Sequence, residues 1–193
     1  MANQRRSVLQ RFIKDDGGMA SLEFAVALPF VVIIMCMAAE IGILTGRTVL
    51  LKRGVDIAIR DVRLGAYNTV GDAAFRRTIC ANAFLIDTCE RDLTIDMTPI
   101  QAAALDGSLR QTVVCRNRED EDATPVTDFD PGLEGSIMLV RVCLVVDPVF
   151  PGTALGAGLN WQRGAGTDVE PTGGYWITAI TAFMNESDSI PTS

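Results

Sequence analysis

The most constraining feature of the chain is an apolar run close to its N-terminus. Residues 24–44 are 21 consecutive residues in which Glu40 is the only charged side chain. As an α-helix this run measures about 31 Å, which matches the hydrocarbon core of a bilayer. The sequence therefore predicts one membrane-spanning helix.

The residues just before the apolar run are unusual for a plain membrane anchor. The sequence Gly17-Gly18-Met19-Ala20-Ser21-Leu22 leads directly to Glu23, a carboxylate that is costly to bury without a partner. If the chain is cut after Gly18, the new α-amino group of Met19 lies four residues before Glu23. Such a cut would place a cation and an anion together at the tip of one helix, where a carboxylate also suits the helix dipole.

These residues resemble the processing site of type IV prepilins, and more fully the TadE-like pseudopilins of bacterial tight-adherence pili. The resemblance covers roughly the first third of the chain. It rests on the basic leader residues Arg5, Arg6, Arg11 and Lys14, on Gly18, Glu23-Phe24-Ala25, Pro29 and Glu40-x-Gly42, and on the stretch 54–60.

The resemblance implies a minor pilin or pseudopilin that helps to prime, assemble or cap a Flp-type adhesive pilus. A prepilin peptidase would cut between Gly18 and Met19. The implied partners are this peptidase, other pilins or pseudopilins, and the pilus assembly platform. The residues to which the resemblance gives a role in assembly are Glu23, Phe24, Pro29 and Glu40.

The charges on either side of the apolar run predict its orientation. The segment before it is the more basic short flank, so we expect the N-terminus to remain cytoplasmic and the rest to be exported. The predicted location is the inner membrane, with a periplasmic or extracellular domain. The predicted organisation is a leader at 1–18, a transmembrane helix at 19–46, a helix extension and connector at 47–70, and an exported α+β domain at 71–193.

Other interpretations of the apolar run fit less well. A cleavable secretory signal needs a short apolar region and a small-x-small site, and 37–39 is a poor match. A lipoprotein needs a small residue before Cys36, where Met35 stands. An uncleaved anchor explains the length of the run but not the position of Glu23. The alternative function is therefore an uncleaved, single-pass envelope-binding domain.

Beyond the apolar run the pattern predicts an α+β fold with a small antiparallel sheet. The first helix should continue from Thr45 to about Leu64 and stop at Gly65. A second helix should begin at Asp72 as N-cap and end near Ala83. The residues expected on its inward face are Phe75, Ile79 and Phe84.

Four segments have the character of strands. Residues 92–98 alternate between polar and apolar, which is typical of a strand with one wet face, and 109–116 form a weaker candidate. Residues 136–146 are apolar on both faces apart from Arg141, which predicts a central strand with 174–184 as its neighbour. Two long segments, 116–135 and 147–173, are expected to be loops.

Four of the five cysteines lie in the predicted exported part, whereas Cys36 lies in the apolar run. An even number in an oxidising compartment predicts two disulfides, and four cysteines allow three pairings. We favour Cys80–Cys89, which closes a short loop, and Cys115–Cys143, which staples two strands.

Enzymatic chemistry is disfavoured by the composition. The chain has no histidine, which removes Ser-His and Cys-His dyads and histidine-ligated zinc, and no cofactor or metal is expected. The net charge of −7 becomes −9 without the leader, which argues against binding to nucleic acid. The carboxylates at 119–122 and 128–130 have the chemistry of calcium ligands but not the EF-hand spacing, so we interpret them as a solvated acidic loop.

Overall fold

The computed structural model describes residues 19–64, 71–100, 115–118, 127–130, 132, 135–156 and 174–185. In this part of the chain the fold is α+β, as predicted, with one long N-terminal helix and a small antiparallel sheet. The helices are α1 (Met19–Arg63), α2 (Asp72–Asn82) and α3 (Cys89–Asp92); the strands are β1 (Leu93–Ile100), β2 (Ile137–Val146) and β3 (Tyr175–Met184).

Helix α1 has two parts with different surroundings. It is 45 residues long and continuous through Pro29, which corresponds to about 67 Å. Its apolar first part is largely exposed and is long and apolar enough to cross a membrane. Its second part packs into the core of the domain, as the predicted extension beyond Thr45 requires. The buried side chains of this second part are Leu51, Val55, Ala58, Ile59 and Val62.

The sheet has the order β1-β2-β3, with both pairs antiparallel. Side chains at the even positions of β2, such as Val140, join the core that includes α1 and α2. Those at the odd positions, such as Cys143, lie on the opposite face and are also buried after Ile137. The prediction of a central strand covered on both faces is confirmed. Its one charged residue, Arg141, pairs with Asp96 on β1, with 2.5 Å between Nη2 and Oδ2.

Helix α2 begins one residue earlier than predicted. Gly71 is the N-cap residue, so the assignment of that position to Asp72 was wrong. Asp72 lies in the first turn and forms an ion pair with Arg76 at 3.1 Å. A carboxylate in the first turn still suits the positive end of the helix dipole.

The inward face of α2 was predicted correctly within the helix and wrongly beyond its end. Phe75 and Ile79 are fully buried, whereas Phe84 is 73% exposed. The helix ends at Asn82, so helical spacing no longer governs the residues that follow it. Ala83 occupies the buried position instead.

A glycine allows α2 to pack closely on α1. A Cβ atom built on Gly54 would lie 2.7 Å from the carbonyl oxygen of Ile79, closer than two such atoms approach in proteins. Because the neighbouring atom is backbone, it has little freedom to move aside. Gly54 therefore fixes the distance between the two helices.

The two predicted edge strands agree with the structure except in their exact bounds and exposure. The segment 174–184 corresponds to β3, whereas Asp92, predicted to start β1, belongs to α3. The wet face predicted for β1 is only partly exposed, since Thr94 is buried. In the candidate strand 109–116, residues 109–114 lie outside the described residues, and 115–118 form no strand. Gly65 and most of the two predicted loops also lie outside.

Two disulfides join the pairs of cysteines favoured from the sequence. Cys80–Cys89 links the end of α2 to the start of α3, with 5.6 Å between Cα atoms. Cys115–Cys143 ties the segment 115–118 to β2, with 5.3 Å between Cα atoms. Cys36 is free.

Candidate functional site

The N-terminal part of α1 presents the residues predicted to act in assembly. Gly18 lies outside the described residues, which begin at Met19. Glu23 is exposed, and Phe24, Phe30 and Leu22 are each about two-thirds exposed. The structure therefore leaves this part of the helix accessible to lipid or to another helix. The assembly roles of Glu23, Phe24 and Pro29 remain predictions.

Glu40 differs from every residue around it. Among residues 21–50, all of which the structure describes, it is the only one that is fully buried. Its Oε1 accepts the backbone N–H of Val149 at 3.1 Å, and its Oε2 accepts that of Phe150 at 2.8 Å. Hydrogen bonds to a charged acceptor are stronger than those between neutral groups. Glu40 therefore holds Val149 and Phe150, in the segment after β2, against the side of α1.

This position gives Glu40 a function inside the subunit. A backbone N–H that leaves water needs an acceptor, and the carboxylate supplies one for each of two consecutive residues. Both of its oxygens are engaged by the same chain. A role between subunits, which the sequence suggested, remains a prediction.

Seven residues further along α1, about two helical turns, Arg47 makes a second connection to the domain. Its Nη1 donates to the carbonyl oxygen of Asp147 at 2.7 Å and to the hydroxyl of Tyr175 at 2.8 Å. Burial raises the pKa of Tyr175 above its usual value, although the hydrogen bond from Arg47 opposes this rise. The phenol is therefore neutral at physiological pH and can accept the hydrogen bond. Arg47 thus joins α1 to the ends of β2 and β3.

Arg118 continues the network on the far side of Asp147. Its Nη1 pairs with Oδ1 of Asp147 at 2.7 Å, and its Nη2 pairs with Oδ2 of Asp92 at 2.6 Å. Nη2 also donates to the carbonyl oxygen of Val145 at 2.8 Å. The guanidinium group therefore links α3, the end of β2 and the segment that Glu40 holds.

Asp92 is the buried anion of this network, with 1% of its surface exposed. Burial alone would raise its pKa, but hydrogen bonds from Arg91, Arg118 and Thr88, with the positive charge of Arg118, lower the pKa below its ordinary value. The carboxylate is therefore ionised at neutral pH. We call the side chains that hold α1, α3 and the ends of β2 and β3 together the junction cluster; they are Glu40, Arg47, Asp92, Arg118, Asp147 and Tyr175.

The junction cluster encloses part of a cavity of about 240 Å³, lined by Arg47, Ile86, Asp87, Thr88, Val146, Asp147, Pro148 and Val149. Each side chain of the cluster engages another one or the backbone, which suits it to holding elements in fixed positions, although the Nε atoms of Arg47 and Arg118 are buried without a partner in the described part of the chain. In the part of the chain that the structure describes, no three His, Cys, Asp or Glu residues are grouped as a metal site would need. The acidic residues 119–122 lie outside that part, and Asp130 accepts the backbone N–H of Gly132.

Comparison with known proteins found no match to this chain among protein-family models, curated proteins or solved structures. The likeness to TadE-like pseudopilins therefore depends on the motif residues of the first third of the chain. The function that it implies is a proposal.

The sequence pointed to Glu40 but missed the rest of the junction cluster. Arg47 was not among the predicted site residues, yet it contacts residues 100 and 128 positions away. The one available signal was its place three residues after the apolar run, where a membrane-spanning helix would leave the bilayer. Nothing local marked Arg118 or Tyr175, because their partners lie on other elements.

Proposed function

We propose that this chain is a minor pilin or pseudopilin of a tight-adherence pilus in a bacterial inner membrane. In this proposal a prepilin peptidase removes residues 1–18, the apolar part of α1 spans the membrane, and the C-terminal domain faces the periplasm or the cell exterior. The chain then assembles with other pilins or pseudopilins on the assembly platform.

The observation that carries the proposal is the division of α1 into an exposed and a packed part. The first part presents side chains such as Phe24, Ile34 and Met35, each 65% exposed, along a single continuous helix. An apolar surface of this extent requires lipid or other helices around it. The second part is a core helix of the domain, so one continuous helix connects the domain to the apolar part, an arrangement suited to packing side by side.

Glu23 supplies the specific element of the proposed assembly. It is an exposed carboxylate one residue before the apolar run. In apolar surroundings an unpaired carboxylate is expensive, so an ammonium group at the tip of a neighbouring helix would both attract it and fix the axial register. The α-amino group of Met19 created by cleavage is that cation in our proposal.

The experiment that tests this role compares Glu23→Ala with Ser21→Ala in the native host. Ser21 is also exposed at this end of α1 but carries no charge. We expect both variants to insert and to be cleaved, because neither change makes the helix less apolar. We expect Glu23→Ala to lose surface pili and adherence, and Ser21→Ala to keep them. Normal piliation and adherence in Glu23→Ala, with normal levels of mature protein, would show that Glu23 is not an assembly residue.

A further inference from the structure

Among the described residues from 71 onwards, three large apolar side chains outside the helices and strands are exposed: Phe84 is 73% exposed, Leu85 48% and Val149 43%. Phe84 and Leu85 lie in the turn after α2, and Val149 lies in the segment after β2. We call these three residues the basal surface. Their position along the axis of α1 determines what they can contact.

The level of Val149 is set by Glu40. The carboxylate of Glu40 binds the backbone N–H groups of Val149 and Phe150. Glu40 lies four residues, or about 6 Å along the axis, before Leu44 at the end of the apolar run. Helical side chains lean towards the N-terminus of their helix, so the carboxylate does not extend beyond Leu44 in the C-terminal direction. Val149 therefore lies beside the apolar run.

The position of Phe84 and Leu85 along the axis of α1 follows from the two residues that flank them, Ile79 and Ile86. Ile79 lies against Gly54, and Ile86 lines the same cavity as Arg47 and Val149. Moving along the chain from Ile79 to Ile86 thus corresponds to moving back along α1 towards its apolar part. The turn that carries Phe84 and Leu85 consequently lies at the same end of the domain as Val149.

We propose that the basal surface docks into the outer face of the membrane that α1 spans, at the boundary between headgroups and acyl chains. This inference rests on the proposed insertion of α1 and the export of the domain. With α1 in the bilayer, a segment hydrogen-bonded to Glu40 cannot stand clear of the lipid. Aromatic and aliphatic side chains are favoured at that boundary.

The two hydrogen bonds of Glu40 meet a requirement that lipid imposes. Backbone groups at membrane depth need partners within the protein, because there is little water to satisfy them. The carboxylate provides acceptors for the backbone N–H groups of Val149 and Phe150, and the side chains of the basal surface are then free to face lipid. The docked domain would be held to the membrane at α1, at Val149 and at the turn with Phe84.

A second set of exposed apolar residues provides a contrast. Ile137 and Met184 are 46% and 49% exposed. Ile137 pairs with Met184 at the end of the sheet opposite the pair Val146–Tyr175, which lies beside Arg47. Although these side chains are similarly exposed, we expect them not to contact the membrane, because they lie at the far end of the sheet.

The test places a photoreactive residue, p-benzoylphenylalanine, at one position at a time in the full chain. The positions are 84 and 149 on the basal surface, 34 on the apolar run as a control for insertion, and 184 at the far end of the sheet. Each variant is reconstituted into vesicles of phosphatidylethanolamine and phosphatidylglycerol, irradiated and analysed by mass spectrometry. Formation of both disulfides, measured by peptide mapping, checks that each variant is folded.

We expect phospholipid adducts at positions 84 and 149 in amounts comparable with those at position 34, and only background at position 184. Lipid adducts at position 34 without any at 84 and 149 would overturn membrane docking while leaving the anchor intact. Adducts of position 84 or 149 with a second copy of the chain would assign the surface to subunit contact and also overturn it. Absence of lipid adducts at position 34 would instead reject the membrane insertion on which the proposed function depends.

Discussion

The carboxylate of Glu40 accepts the backbone N–H of Phe150 at 2.8 Å, across a sequence separation of 110 residues. This bond joins the apolar part of α1 to the segment that leaves the central strand of the sheet. A charged residue in a helix long enough to span a membrane is ordinarily interpreted as a binding site for another molecule. Here the carboxylate is matched by donors of its own chain, so the orientation of the domain on the helix is set within one subunit.

The first prediction concerns this contact. Glu40→Ala removes the acceptor for two backbone N–H groups, and a hydrogen bond to a charged group contributes about 1.5–3 kcal/mol. We therefore expect amide hydrogen exchange at Val149 and Phe150 to accelerate by about 10- to 100-fold, measured in detergent by mass spectrometry. Exchange at Cys143, within β2, should be unchanged. Glu40→Gln, which keeps one oxygen acceptor, should give an intermediate rate.

If Glu40→Ala leaves exchange at these two amides unaltered, the segment is not held by the carboxylate. The level assigned to Val149 beside the apolar run would then lose its support.

The second prediction concerns the packing of α2 on α1. In Gly54→Ala the new methyl group would lie 2.7 Å from the carbonyl oxygen of Ile79, so the helices must separate. Forcing an extra methyl group into a packed interface costs about 1–3 kcal/mol. We expect the free energy of unfolding in detergent to fall by this amount.

The matched control is Gly46→Ala on the same helix, where an added Cβ meets no atom within 4 Å. Alanine is the better helix former by about 1 kcal/mol, so this variant should be as stable as the parent or more so. Equal stability of the two variants would mean that α2 does not approach α1 at Gly54.

The third prediction concerns acid stability. The pKa of Asp92 is lower in the folded protein than in the unfolded chain, so its contribution to stability is complete above the unfolded pKa. That contribution is lost as the pH falls through the folded pKa. With an unfolded pKa of about 3.9, the loss begins below about pH 5 and continues below pH 4.

Asp92→Asn should lower the free energy of unfolding at pH 7 by about 1–3 kcal/mol, because Arg118 loses its buried anion but keeps Asp147 and the carbonyl oxygen of Val145. It should also make the decline between pH 5 and pH 3 shallower than in the parent protein. Denaturant titrations at several pH values measure both effects, with Asp56→Asn on the exposed face of α1 as control. Parallel pH profiles for the parent and Asp92→Asn would contradict the ion-paired state of Asp92.

Much of the fold could be predicted from the sequence because its signals are local. The apolar run, the helical spacing through residue 63 and the doubly apolar segment 136–146 each depend on neighbouring residues only. The even number of cysteines beyond the apolar run similarly favoured the two observed disulfides. Phe84 was misplaced because helical periodicity was continued past the point where α2 ends.

The junction cluster could not be predicted because its contacts are long-range. Arg47 and Tyr175 meet only after the sheet has formed, and Asp92 pairs with Arg118, which lies 26 residues further along the chain. A burial pattern reveals which residues turn inward, but it does not pair an arginine with a carboxylate on another element. Glu40, the acidic residue inside the apolar run, was the one predicted site residue that belongs to the junction cluster.

The measurement that tests the central claim most directly is the intact mass of the protein purified from the membranes of its native host. The account predicts a chain that begins at Met19, having lost residues 1–18. It also predicts that Gly18→Val remains uncut, because a side chain there blocks the approach of the peptidase, whereas Gly17→Val is processed. A parent protein that retains residue 1, or a Gly18→Val variant that is still cut after residue 18, would contradict the assignment as a processed pilin or pseudopilin.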